Sequence, residues 1–148
     1  MRTIGKNGKR GSAILEFALS FSVLWALFGG IYEFGYTFFI YNQLTTAVSN
    51  AAAIGSKMTY DTASTSQFTD AVTNMVLYGS TTAGTKTIVT GLTSANVSVD
   101  INAQNSMPTN ITVTINNFAV DAVFKTFRFN GKPSATMPYI GQITCSTC

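Results

Sequence analysis

Ser12-Ala13-Ile14-Leu15-Glu16-Phe17-Ala18-Leu19-Ser20-Phe21-Ser22-Val23-Leu24-Trp25-Ala26-Leu27-Phe28-Gly29-Gly30-Ile31-Tyr32 contains one charged side chain, Glu16, and from Phe17 to Tyr32 none at all. As a helix rising 1.5 Å per residue the run is roughly 30 Å long, the thickness of a bilayer's hydrocarbon core. One transmembrane helix is therefore expected. Gly29 and Gly30 weaken it locally, each by about 1 kcal/mol relative to alanine, and in protein-lined surroundings they permit close helix approach or a bend.

Upstream, Met1 to Arg10 carries Arg2, Lys6, Lys9 and Arg10 and no acid. A basic segment before an apolar one keeps the N-terminus cytoplasmic. A secretory signal has its small-residue cleavage site after the apolar stretch, whereas here the small residue, Gly11, comes before it. Glu16 is the physical puzzle, because an ionisable side chain in an apolar segment costs about 2.5 to 3.5 kcal/mol even on lenient insertion scales. Its bland reading is a polar residue that snorkels to the membrane edge. Glu33 reads as an interfacial residue at the outer end of the span.

Downstream, Phe34, Phe38, Tyr41, Leu44, Val48 and Ala52 recur every three or four residues among Asn42, Gln43, Thr45, Thr46, Ser49 and Asn50. That is an amphipathic helix. With no proline from 12 to 54, the simplest reading is one long helix with its stop at Gly55. Ser64 or Ser66 is placed to cap a second helix carrying Phe68, Val72, Met75 and Val76 and ended by Gly79. Beyond it, Thr87-Ile88-Val89-Thr90, Val97 to Ile101 and Ile111 to Ile115 are strand-like runs. The last two alternate with period two and pair as antiparallel neighbours across Gln104 to Asn110. Phe118 to Phe124 reads as a short helix or an apolar plug, Phe129 to Lys132 as a turn, and Ser134 to Thr144 as the last strand. The expected class is α+β: a long N-terminal hydrophobic helix with a small head of one short helix and an antiparallel sheet. The expected segments are residues 1–11 (basic leader), 12–56 (long helix, its first half transmembrane or filament core) and 57–148 (extracellular head).

The chain's net charge of +3 belongs to the leader, since the remaining residues hold five Lys/Arg against six Asp/Glu. No basic stripe interleaved with aromatics remains, so nucleic acid is not expected as a partner. The sequence has no histidine and shows neither a metal-ligand cluster, a phosphate-binding glycine loop nor an obvious acid pair. A non-enzyme without cofactor or metal is expected. Cys145 and Cys148 are the only cysteines; two thiols at this spacing do not make a zinc site alone, and they read either as a small disulfide loop or as a pair of free thiols. Trp25, Tyr32, Tyr36 and Tyr41 read as core packing and an interfacial aromatic belt.

Lys9-Arg10-Gly11-Ser12-Ala13-Ile14-Leu15-Glu16-Phe17-Ala18-Leu19, followed by Glu33-Phe34-Gly35 and Asn42-Gln43-Leu44-Thr45, resembles the TadE/TadG-like pseudopilins of tight-adherence (Flp-type) pili, within the type IV prepilin superfamily. The resemblance implies cleavage after Gly11 by a prepilin peptidase, leaving a chain that starts at Ser12 with Glu16 in fifth place. It further implies that Glu16 pairs with the N-terminal amine of a neighbouring subunit during assembly, with Phe17, Ala18, Leu19, Gly29 and Gly30 on the association surface. The implied partners are copies of itself or other pilin subunits, the peptidase, an inner-membrane assembly platform, and membrane lipid before assembly. The head would face outward from the cytoplasmic membrane and reach the cell surface in the fibre, which serves adhesion. Major Flp pilins are little more than the helix, so a chain with roughly 90 further residues fits a minor or alternative subunit. Two other readings stand beside it: a single-pass anchored extracellular binding module, and a pseudopilin of a type II-like secretion system.

Overall fold

The structure is a computed structural model and describes residues 8–104 and 107–144. The fold is α+β, in the order α1 (Gly8–Gly55), β1 (Tyr60–Asp61), α2 (Thr65–Tyr78), a 3-10 turn (Ser94–Asn96), β2 (Val97–Gln104), β3 (Met107–Ile115), β4 (Phe118–Asp121), β5 (Thr126–Phe129), β6 (Ser134–Pro138) and β7 (Ile143–Thr144). The chain divides into two compact units, Met1–Tyr36 and Thr37–Cys148.

The first unit is the apolar part of α1. The large apolar side chains of the run are not used to fold the chain: Ile14, Leu15, Phe17, Leu19, Trp25 and Ile31 are each exposed by 66% or more. A helix apolar all round is stable only if something other than water surrounds it. By length and composition α1 is able to cross a membrane, and its most apolar stretch is not buried within the protein.

The second unit has a conventional core. Leu44, Val48, Ala51 and Ala52, on one face of α1, share it with Phe68, Val72 and Val76 of α2 and with Ile111, Val113 and Ile115 of β3. Alternation builds the sheet side: Ile111, Val113 and Ile115 are fully buried while Thr112 and Thr114 are only half so. Close approach of helix and core explains Gly55, where a Cβ would stand 3.0 Å from Val72 Cγ2 and 3.7 Å from Ile111 Cδ1. α2 ends as expected, with Gly79 in the left-handed region at φ 73° and its N–H donating to the Met75 carbonyl at 3.0 Å. Ser64 holds the N-cap position, but its side chain makes no capping hydrogen bond.

The main sheet is antiparallel, in the order β2-β3-β6, with Val97 opposite Ile115 and Asn110 opposite Pro138. The β2–β3 hairpin reaches further than expected, since Ala103 pairs with Pro108 beyond a register shift at Asn102/Ala103. Proline is tolerated there because β6 ends its pairing at Asn110, leaving that end of β3 as an edge. The outer face carries a hydroxyl ladder, Thr112 to Thr136 and Thr114 to Ser134, both at 2.9 Å.

Three expectations are corrected. Phe118 to Phe124 is neither helix nor plug: Phe118–Asp121 is β4, antiparallel to β5 with Phe118 opposite Phe129, and Asn117 at φ 52° turns the chain into it. Thr87 to Thr90 forms no strand. Val89 is buried, and the Ile88 N–H is spent on the Leu77 carbonyl at 2.7 Å. Ser134 to Thr144 is two strands, not one, because at Ile140 the chain leaves β3 and its N–H donates to the Ser56 carbonyl at 2.8 Å. β7 then lies parallel to β1, Tyr60 opposite Ile143.

Candidate assembly and anchoring site

Gly11, Ser12, Glu16, Phe17, Ala18 and Leu19 all lie within α1 and are exposed. The helix starts at Gly8, so the chain is helical through the Gly11–Ser12 bond. A Cβ added at Gly11 would meet nothing within 4 Å, and the same holds at Gly30 and Gly35. Nothing in the chain's own packing requires glycine at those places, although each weakens the helix by about 1 kcal/mol. Gly29 is half-buried and Gly30 exposed.

The span has two dissimilar sides. Phe17 stacks on Phe21 and Phe21 on Trp25, with centroids 6.0 and 6.2 Å apart, and Tyr32 stacks on Tyr36 at 6.4 Å. These are i,i+4 neighbours, which meet on one face of a helix. Glu16 lies on a different face: at 3.6 residues per turn it shares a line with Ser20, Val23, Leu27 and Gly30. Leu19, Ser20, Val23, Leu24 and Leu27 enclose a shallow groove there. One side is thus a bulky aromatic ridge, and the other a carboxylate followed by smaller side chains. The Ser22 hydroxyl donates to the Ala18 carbonyl at 2.8 Å, so its polarity is satisfied inside the helix.

Glu33, expected to be interfacial, is 7% exposed and is the only buried charged side chain among the described residues. Sequence reading missed it because hydropathy places a residue along a span without saying what covers it. Tyr41 is not part of the belt; its ring meets Phe129 with centroids 5.5 Å apart. Cys145 and Cys148 lie outside the described residues.

The exit of α1 is fastened by the C-terminal segment, another feature with no sequence signal. The Tyr139 hydroxyl lies 2.7 Å from the Met58 carbonyl oxygen and 2.8 Å from that of Gln142. Burial, above all, raises the Tyr139 pKa above its ordinary 10.0, keeping the phenol a donor. The Tyr60 N–H donates to the Gln142 carbonyl at 2.9 Å. Gly141 completes the clamp, since a Cβ there would overlap the Met58 carbonyl.

The family model described as TadE-like protein matches residues 11–53, within α1. This helix is similar to that family's. The match begins at Gly11 and ends two residues before the end of α1, so it covers the span and the amphipathic half of the helix. No curated protein and no solved structure matches the chain significantly. The similarity covers that segment, and the remaining residues are described by their own structure alone.

Proposed function

We propose that this chain is a minor or alternative pilin subunit: a prepilin cut after Gly11, assembling through α1 into a surface filament used in adhesion, with no catalytic role. The observation that carries the reading is the exposed, largely apolar surface of α1, which follows Gly11 and carries Glu16 as its one charge as far as Tyr32. Such a surface needs lipid first and protein neighbours afterwards.

The chemistry of the cut explains why a carboxylate stands there. In the uncut chain Glu16 lies in the third turn of α1, away from the helix start at Gly8. Cleavage would make Ser12 the first residue and create a new α-amine, a cation at physiological pH. That cation sits at the positive end of the helix dipole, which disfavours it. Side chains on a helix lean toward its N-terminus, so the Glu16 carboxylate of an adjoining subunit is suited to pair with the amine. Each ion is costly in lipid, and pairing in a low-dielectric core offsets part of both costs. Only the cut chain has an α-amine at Ser12, beside the apolar run, so processing licenses assembly. The prepilin peptidase, an inner-membrane platform and other pilin subunits are the partners this mechanism calls for.

Glu16→Leu tests the pairing. It removes the charge while improving membrane insertion, so the protein should accumulate in the membrane while sheared fibres fall about tenfold or more, the effect of losing 1.4 kcal/mol or more of pairing. A normal fibre yield with Leu at position 16 would sink the mechanism and favour an unprocessed, membrane-anchored binding module.

A further inference from the structure

Three of the five Lys/Arg beyond Gly11, namely Lys125, Arg128 and Lys132, are grouped on β5 and the turns flanking it. The nearby acid is Asp121, whose Oδ1 accepts a hydrogen bond from Thr126 Oγ1 at 2.8 Å. The β4–β5 hairpin is anchored on its inner side, where Phe118 and Val120 are buried and Phe129 meets Tyr41. Tyr41 belongs to the part of α1 that follows the apolar run in sequence. The tip is different. Val123 and Phe124 are 68% and 69% exposed, on a turn closed by the Ala122 N–H to the Lys125 carbonyl at 3.1 Å. Lys125 Nζ stands 5.8 Å over the Phe127 ring, and Arg128 and Lys132 are exposed.

Large apolar side chains at a tight turn flanked by cations suit the boundary between headgroups and acyl chains, where the apolar groups leave water and the cations meet phosphates. We propose that the β4–β5 hairpin is a membrane-surface contact, with Val123 and Phe124 entering the headgroup region of a bilayer containing anionic phospholipid and Lys125 and Arg128 held by its phosphates. A second copy is a poorer occupant, because two such hairpins face each other with like charge. Two apolar side chains also fall far short of the area a stable protein interface buries. A bilayer needs no matching shape, and a chain with its own span is tethered to one. The proposal thus rests on the reading of α1 as a membrane span.

The test uses the full chain carrying Trp25→Phe and Val123→Trp, reconstituted into phosphatidylcholine vesicles with or without phosphatidylglycerol, some of the lipid bromine-labelled. With phosphatidylglycerol the indole at position 123 should be quenched by the brominated lipid and shielded from aqueous acrylamide. High salt, or Lys125→Gln with Arg128→Gln, should weaken that quenching several-fold. Protein that floats with the vesicles while the indole stays open to acrylamide overturns the hairpin contact and leaves the span intact. Shielding that appears equally in pure phosphatidylcholine and grows with protein density would assign the tip to a second copy instead. A chain that does not float at all removes the span, and the proposal with it.

Discussion

Tyr139 and Glu16 show how single side chains carry the two halves of the account. The Tyr139 phenol joins the C-terminal segment to the residues after α1 through Met58 and Gln142. Tyr139→Phe removes the donor to the part-buried Met58 carbonyl, while the Gln142 carbonyl keeps the Tyr60 N–H, and is expected to cost about 0.5 to 1.5 kcal/mol in chemical denaturation. The sign of the pH dependence follows from the raised pKa: the folded state holds the phenolic proton more tightly than the unfolded state. This contribution is complete below the unfolded value near 10 and is lost as pH rises through the higher folded value. Alkaline unfolding should therefore set in above about pH 10 and be less steep in the Tyr139→Phe protein; an unchanged profile would remove Tyr139 from the clamp. Glu16 was legible at once, as a charge in an apolar run. Tyr139 was not, because a tyrosine in a β-rich segment carries no sign of a partner 81 positions away.

The elements divide the same way. α1 and α2 were readable to within a few residues because their apolar spacing and terminal glycines agree with each other, and the β2–β3 pair was readable from strict alternation. β4 was not, since a short apolar run has no period that separates strand from helix; its partner β5 decides it. Thr87 to Thr90 has the residues of a strand but no neighbour to pair with, and packing context outweighs such preferences. Helix glycines give a test that separates folding from assembly. Gly55→Leu should destabilise the second unit by about 1 to 3 kcal/mol, because Val72, Ile111 and Phe68 already surround the position. Gly30→Leu, whose Cβ meets nothing within 4 Å, should leave the melting of that unit unchanged and lower fibre yield. Equal fibre yield from Gly30→Leu and the parent chain would mean that no neighbouring helix packs closely at that point.

For the whole molecule, one helix does two jobs. The second unit folds on Leu44 and Val48, both fully buried, so Leu44→Ala should cost about 2 to 5 kcal/mol and release a membrane-bound chain whose C-terminal unit is quickly proteolysed. The apolar run of the first unit is exposed, and on the proposed reading its surface is covered by lipid or by neighbours. Sequence made that surface plain, while the clamp and the cationic hairpin emerge only when distant residues are brought together. The central claim is that the helix is released by a cut at Gly11 and then assembled. It is tested most directly by intact mass and N-terminal sequencing of the protein recovered from sheared surface material. A chain beginning at Ser12 is expected in that fraction. A chain beginning at Met1 and confined to the membrane would contradict it.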